Sequence, residues 1–250
     1  GAQQLKAETS TSEALGFVYH KGPFELTVDG YNIRIGNRIV LSENISGSNI
    51  TPILAPYNVT AARFFMNGVT TTTSGVDAVA NYRIPTDRYG RFNLSLAWSN
   101  TNTIIDREPT NNTLSSLNPA PVLFARVRQY ILTNGSPENK GALGVDWTGG
   151  AWSVNARATY YGDVIDASST PANDIHTGKK TLVDLSGSYR FAHGATLTVG
   201  ADNLFDVYPD KVPANLNVTS GNGVGALAFD RFSPFGFNGR YLYARLSQSW

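Results

Sequence analysis

Nine stretches of this chain alternate apolar and polar residues with a period of two, the pattern of β-strands whose two faces meet different surroundings. The plainest is the last. Leu242, Ala244 and Leu246 alternate with Tyr243, Arg245 and Ser247, and the sequence ends on Trp250. Leu15, Phe17 and Tyr19 share a face in a first strand over Ser12–His20. A second starts at Phe24 with Leu26 and Val28 in phase, then shifts so that Tyr31, Ile33 and Ile35 alternate. A β-bulge at Gly30 is the expected cause of that shift. A third covers Ala61–Ile84 in two pieces, clearest at Val76, Ala78, Ala80, Tyr82 and Ile84. Phe92, Leu94, Leu96 and Trp98 mark the fourth, and Leu143, Val145 and Trp147 the fifth. Trp152, Val154, Ala156, Ala158 and Tyr160 mark the sixth. Val183, Leu185, Gly187, Tyr189 and Phe191 mark the seventh, and Leu197, Val199 and Ala201 the eighth. No comparable stretch has a helical period, so the expected class is all-β.

The links between these strands alternate in length. His20–Pro23, Pro85–Gly90, Thr148–Ala151 and Ala192–Ala195 are short; Asn44–Thr60, Arg107–Ser136, Asp166–Gly178 and Phe205–Phe237 are long. Short periplasmic turns alternating with long extracellular loops is the pattern of an outer-membrane β-barrel. Aromatic residues flank every short turn: Tyr19 and Phe24, Tyr82 and Phe92, Trp147 and Trp152, Tyr189 and Phe191. Rings with polar tips favour a membrane interface, so these residues and Trp250 are expected to form a periplasmic girdle. The other face of each strand is polar, as at Asp77, Asn81 and Arg83, or Ser153, Asn155, Arg157 and Thr159, or Asp184, Ser186, Ser188 and Arg190. In a barrel that face lines the lumen, and its charges of mixed sign are placed to pair across strands.

Composition fits this reading. Charged residues are 16% of the chain, against roughly 25% in ordinary soluble domains. The net charge of +1 points away from nucleic acid. No apolar run reaches the ~18 residues of a membrane helix. No secretory signal precedes Gly1, so the sequence reads as mature, truncated or excised. Strand parity adds a constraint. Nine strands whose first and last run the same way cannot close an antiparallel ring, and an unpaired strand edge in lipid is costly. The expectation is therefore the C-terminal part of a larger barrel.

Four segments resemble the TonB-dependent outer-membrane receptors. Leu5-Lys6-Ala7-Glu8-Thr9-Ser10 followed by Glu13-Ala14-Leu15-Gly16 is similar to the family's "LKPE…S…ELG" entry into a barrel strand. Phe64-Phe65-Met66-Asn67-Gly68 with Thr73-Ser74-Gly75-Val76-Asp77 is similar to its "N…GvE" strand. Gly200-Ala201-Asp202-Asn203-Leu204-Phe205-Asp206, with Tyr208, resembles its "NLFD…Y" motif. Ser233-Pro234, Gly239-Arg240 and the final aromatic strand resemble its ending. The four occur in the family's order and at its spacing from the C-terminus. Gln248 departs from the apolar or aromatic residue more usual there. The resemblance implies a 22-stranded barrel filled by an N-terminal plug, of which this chain is the C-terminal part, 1–250, without the plug. It also implies partners: outer-membrane lipid, the missing strands and plug, the TonB energy transducer engaged through the plug, and the barrel-assembly machinery. The implied function is energised import of a scarce small-molecule ligand, by default a ferric siderophore or similar iron complex, with a carbohydrate as the other ligand class. A small stand-alone porin, or a binding barrel without energised transport, is the alternative.

Other motifs weigh less. His20, His176 and His193 are scattered, and no Ser/His/Asp grouping suggests an enzyme. Gly221-Asn222-Gly223-Val224-Gly225 and Gly178-Lys179-Lys180-Thr181 lack the helix or hydroxyl placement of a phosphate loop. Asp202, Asp206 and Asp210 invite a calcium site, but structural hydrogen bonding is the better reading. No cofactor or resident metal is expected. Ligand contacts belong in the long links, where Tyr57, Arg63, His176, Tyr208, Arg231 and Phe232 are the candidates. Arginine and aromatic groups suit ferric chelates, haem or carbohydrate rings.

Overall fold

The computed structural model describes residues 3–216 and 227–248. Nine strands form one sheet in which every neighbour is antiparallel and sequence order is spatial order. They are β1 (Thr9–Lys21), β2 (Phe24–Leu41), β3 (Phe65–Thr86), β4 (Gly90–Arg107) and β5 (Asn139–Gly149), then β6 (Trp152–Tyr161), β7 (Lys180–Arg190), β8 (Ala195–Asp202) and β9 (Tyr241–Gln248). Among the described residues the sheet does not close: β1 pairs only with β2 and β9 only with β8. Among the described residues no helix is long and apolar enough to cross a membrane. At 18 and 22 residues, β2 and β3 far exceed the ~9–11 residues that cross a bilayer as a strand.

Register settles which residues share a face. Leu26 lies opposite Ala80, which lies opposite Leu96, which lies opposite Leu143. Leu143 lies opposite Ala158, and that row passes to Val183. The apolar residues of all nine strands thus merge into one continuous outward face. On β6 it runs from Trp152 to Tyr160, about 26 Å along the strand. Its lower edge is aromatic. Ring centroids are 6.2 Å apart for Tyr19–Phe24, 6.3 Å for Phe24–Tyr82 and 6.4 Å for Phe92–Trp147. They are 4.7 Å apart for Trp152–Tyr189 and 4.9 Å for Tyr189–Phe191. Trp147 also donates its indole N–H to the Tyr89 carbonyl at 2.7 Å. Trp250 lies outside the described residues. At the upper edge Trp98 stacks on Tyr160 at 5.8 Å.

The turns explain the hairpins. Gly22 and Gly150 sit at φ 57° and 59°, a left-handed conformation that glycine adopts without strain. All four short turns fall at the aromatic end, and the links over 42–64, 108–138, 162–179 and 203–240 all fall at the other.

Three expectations change. First, there is no bulge at Gly30: pairing runs unbroken from Leu15 through Gly30 to Val76. The register breaks higher, between Ile35, Arg38 and Val40. The apolar phase inverts at Gly30 because the outward face turns polar at Asn32 and Arg34, while Tyr31 faces inward. There Tyr31 covers Gly75, leaving no room for a Cβ, and its hydroxyl shares a 2.6 Å hydrogen bond with Thr101. Second, the first piece of the third strand leaves the sheet: Ala61–Ala62 pairs with Ile45–Ser46 as a separate two-stranded ladder. Third, among the described residues Asp77, Arg83, Arg157, Asp184 and Arg190 form no ion pairs across strands. Among the described residues one ion pair joins neighbouring strands, His20 of β1 with Glu25 of β2 at 3.4 Å beside a short turn, and the others involve the long links. Asp146 is held instead by the Asn155 amide, and Asp184 accepts the Asn203 N–H at 2.8 Å.

The long links carry short helices, the longest being α1 (Arg126–Thr133). They also hold most of the principal apolar cluster: Ile45, Ile50, Leu114 and Leu123 pack with Met66 of β3, with Phe64 and Leu117 against them.

Candidate functional site

The long links converge on one cleft, and charged side chains hold it together. Arg126 opens α1 and reaches across to link 162–179. Its guanidinium donates to the Ser168 carbonyl at 2.6 Å and to both Asp174 oxygens at 2.8 and 2.5 Å. The Tyr130 ring lies 4.2 Å from the same guanidinium. Asp174 accepts the Ser168 N–H as well, at 2.9 Å. The arginine hydrogen bond holds the Asp174 carboxyl below its ordinary range, and the Arg126 pKa rises in return. This bidentate pair fixes one link to another. A two-residue ladder, Ile165–Asp166 with Ile175–His176, stiffens the segment it grips.

The last link joins through Arg231, whose Nε and Nη2 donate to Asp166 at 3.1 and 3.2 Å. Its guanidinium sits 4.8 Å from the Phe232 ring. Beside it Asp230 is fully buried. One carboxyl oxygen accepts the Phe232 N–H at 2.7 Å; the other has no partner among the described residues. Burial pushes this carboxyl up, and the neighbouring Asp166 adds to the effect.

The cleft between these elements has a volume of about 500 Å³, the scale of a small ligand. Every long link lines it. The link over 42–64 supplies Glu43 and Arg63, and α1 supplies Val127, Arg128 and Ile131. Link 162–179 supplies Asp166, Ser168 and Asn173, and link 203–240 supplies Arg231 and Phe232. Arg128 approaches Glu43 at 3.7 Å. Arg63 is exposed and has no ion-pair or hydrogen-bond partner among the described residues. Three guanidiniums and one aromatic ring line the cleft against two carboxylates, Glu43 and Asp166, leaving it an excess of positive charge suited to a planar, anionic ligand.

Of the six sequence candidates, Arg63, Arg231 and Phe232 line this cleft, and Tyr57, His176 and Tyr208 do not. Tyr57 ends a 3-10 turn and is 75% exposed. His176 bonds Asp163 at 2.7 Å. Tyr208 stacks on Phe229 at 5.6 Å, which stacks on Phe237 at 5.7 Å. Its phenol pKa is raised by the adjacent Asp206 carboxylate. Sequence reasoning passed over Arg126, Arg128, Asp166, Asp174 and Asp230, which look like ordinary solvated loop charges. The helical spacing of Val127, Tyr130 and Ile131 was the one legible sign of α1.

The sequence motifs also find places. Asn203 (φ 52°) brackets Val207, accepting its N–H at 2.9 Å and donating to its carbonyl at 2.7 Å. Asp206 accepts the Arg240 N–H at 2.7 Å, and Asp210 pairs with Lys180. These aspartates hold chain ends together. Tyr208 and Asp206 lie where a Cβ on Gly239 would be. The two motifs at the ends of the last link are therefore one structural unit. Gly178 leads into a strand and not a helix, so no phosphate loop exists there. Gly221-Asn222-Gly223-Val224-Gly225 lies outside the described residues. Among the described residues no group of His, Cys, Asp or Glu is placed to hold a metal ion.

Known proteins of this architecture are informative. The family model described as "TonB dependent receptor-like, beta-barrel" matches residues 1–204. No curated protein matches. A mutant of the ferric enterobactin receptor PfeA of Pseudomonas aeruginosa superposes with a TM-score of 0.62 at 19% identity, over 98% of this chain and 32% of that one. The copper transporter OprC does so with 0.58 at 17% identity, over 99% and 32%. The pyoverdine receptor FpvA of Pseudomonas aeruginosa PAO1, bound to pyoverdine, does so with 0.59 at 14% identity, over 97% and 30%. The chain thus spans about a third of the length of these structures. Outward apolar face, aromatic belt, one-ended long links and family match agree: the chain belongs to the TonB-dependent receptor β-barrel family of the Gram-negative outer membrane.

Proposed function

We propose that this chain is the C-terminal part of the barrel of an energised outer-membrane receptor that captures and imports a ferric siderophore or similar iron complex. The observation that carries the reading is the convergence of all four long links on one cleft lined by Arg63, Arg128, Arg231 and Phe232. Arginine donors and a ring suit an anionic chelate better than a bare cation. The function is binding and passage, without catalysis. Residues 1–250 supply the last strands of the ring; the preceding strands pair with the free edge of β1. A plug fills the lumen and engages the TonB transducer. The belt from Tyr19 to Phe191 rests at the periplasmic interface, with Trp98 and Tyr160 at the outer one. The two open sheet edges weigh against a stand-alone porin, because an unpaired edge in lipid is costly.

The test uses the full-length receptor and a panel of ferric catecholate, ferric hydroxamate and cupric ligands. One ferric chelate should bind, and Arg63→Ala together with Arg231→Ala should weaken it about tenfold or more, as for lost charge-assisted hydrogen bonds. Growth on that chelate should need the energy transducer. Binding confined to copper, or uptake indifferent to the transducer, would overturn the reading.

A further inference from the structure

A second arginine pair lies on the opposite surface, facing out from the sheet. A cleft of about 450 Å³ is lined by Arg34, Gly36, Asn37, Thr70, Asp106 and Arg107. Its position follows from register. Arg34 lies opposite Thr72, and Thr72 opposite Ile104, all on the outward side. Val76, four residues below Thr72, is the nearest apolar outward residue beneath it on β3. The cleft therefore stands about 13 Å further along the strand, or about 10 Å higher for a strand tilted near 40°. That is the level where the headgroup layer begins above the acyl chains, and an arginine can reach down into it.

Two backbone irregularities build this site. Thr71 pairs with Ile105 but Thr70 pairs with Arg107, so Asp106 is an extra residue in β4. Strict alternation along β4 would place Arg107 on the inner face; the bulge turns it outward beside Arg34. At the same height the β2–β3 register breaks between Ile35 and Arg38, with Asn37 at φ 54°. Arg34 has no ion-pair or hydrogen-bond partner among the described residues. Arg107 spends only Nε, on the Gly68 carbonyl at 3.3 Å. Asp106 faces the same cleft, but the Thr72 hydroxyl donates to it at 2.7 Å and it forms no ion pair with either arginine. The cleft keeps a net positive charge and free guanidinium donors.

We propose that this outward cleft binds a phosphate of an outer-leaflet lipid. Two planar forks above an apolar wall match an anionic group attached to acyl chains. The apolar face below receives the chains. The site is separate from the loop cleft and does not depend on which ligand that cleft takes.

Native mass spectrometry of the delipidated full-length receptor tests this, with bisphosphorylated lipid A, its dephosphorylated form and inorganic phosphate as probes. The phosphorylated lipid should be retained and the dephosphorylated form should not. Arg34→Gln with Arg107→Gln should weaken retention about thirtyfold, the equivalent of about 1 kcal/mol for each arginine at a charged lipid surface. Arg34→Lys with Arg107→Lys should restore most of it. Equal retention of both lipids, or a double Gln variant indistinguishable from the parent, would overturn the proposal. Inorganic phosphate binding as tightly as the lipid would overturn the lipid assignment in favour of a soluble anion. Should the Gln variant fail to assemble, the comparison of the two lipids on the parent receptor decides alone.

Discussion

The sheet and the cap of long links are built on different principles. The sheet has two exposed faces and almost no interior: Leu15, Val199, Leu242 and Leu246 are each more than half exposed. Its cohesion comes from backbone ladders and from the lipid that its outer face demands. The cap has a conventional buried cluster and partly buried ion pairs. Ile50, Val164 and Leu114 are almost fully enclosed, and charged side chains join link to link. One chain thus contains a membrane wall that needs neighbours and a small globular assembly that supplies its own. A substitution should therefore act by rules that depend on which region it enters.

Packing damage in the cap gives the largest expected effect. Leu114→Ala removes a side chain that is 5% exposed and should cost about 2–5 kcal/mol of local stability. Amide hydrogen exchange should rise through links 42–64 and 108–138, while the strands near the aromatic belt stay protected. Loss of protection across the whole sheet would mean the two regions unfold as one. A charge placed on the wall comes next. Ala156 sits midway between Trp152 and Tyr160 on the outward face, so Ala156→Arg should cost about 2–4 kcal/mol in urea unfolding from lipid. Asn155→Arg, one residue along on the inner face, should cost far less. Equal costs would refute the assignment of faces.

The smallest expected effect is a gain. Asp230 is buried with one oxygen unpartnered, and its pKa is raised in the folded state. A raised carboxyl pKa means the folded state holds its proton more tightly than the unfolded chain. Stability from this group is full at acid pH and lost as pH rises through the folded value. Asp230→Asn keeps an acceptor for the Phe232 N–H and removes the charge. It should stabilise the cap by about 1–3 kcal/mol at neutral pH and by nothing below the ordinary carboxyl range. Exchange of the Phe232 amide at the two pH values reads this directly.

The wall was legible in the sequence because lipid imposes one requirement on every strand. Each outward residue had to be apolar regardless of its neighbours, so Leu26, Ala80, Leu96 and Ala158 could be placed before their pairing was known. Gly30 misled because alternation reports surroundings as well as backbone. Leaving the lipid swaps the polarity of the two faces without any break in register. The cap was less legible for a related reason. Arg126 with Asp174, and Arg231 with Asp166, are far apart in sequence, and nothing local distinguishes a paired loop charge from a hydrated one. Arg63, Arg231 and Phe232 were singled out by residue type, and so were Tyr57, His176 and Tyr208. Only three-dimensional convergence separates the first three from the rest.

The closure at the foot of the last link has a consequence for how such chains change. Asp206 takes the Arg240 N–H, and Tyr208 covers Gly239, so the two ends of a long excursion are clasped where it leaves the wall. Above that clasp, lengthening the segment adds little entropy cost, since closure grows only slowly with loop size. The β8–β9 hairpin keeps its alignment whatever is carried above it. The clasp works as a socket: it fixes the two ends of the link beside the wall, so the final strand finds its place whatever length of chain lies between them.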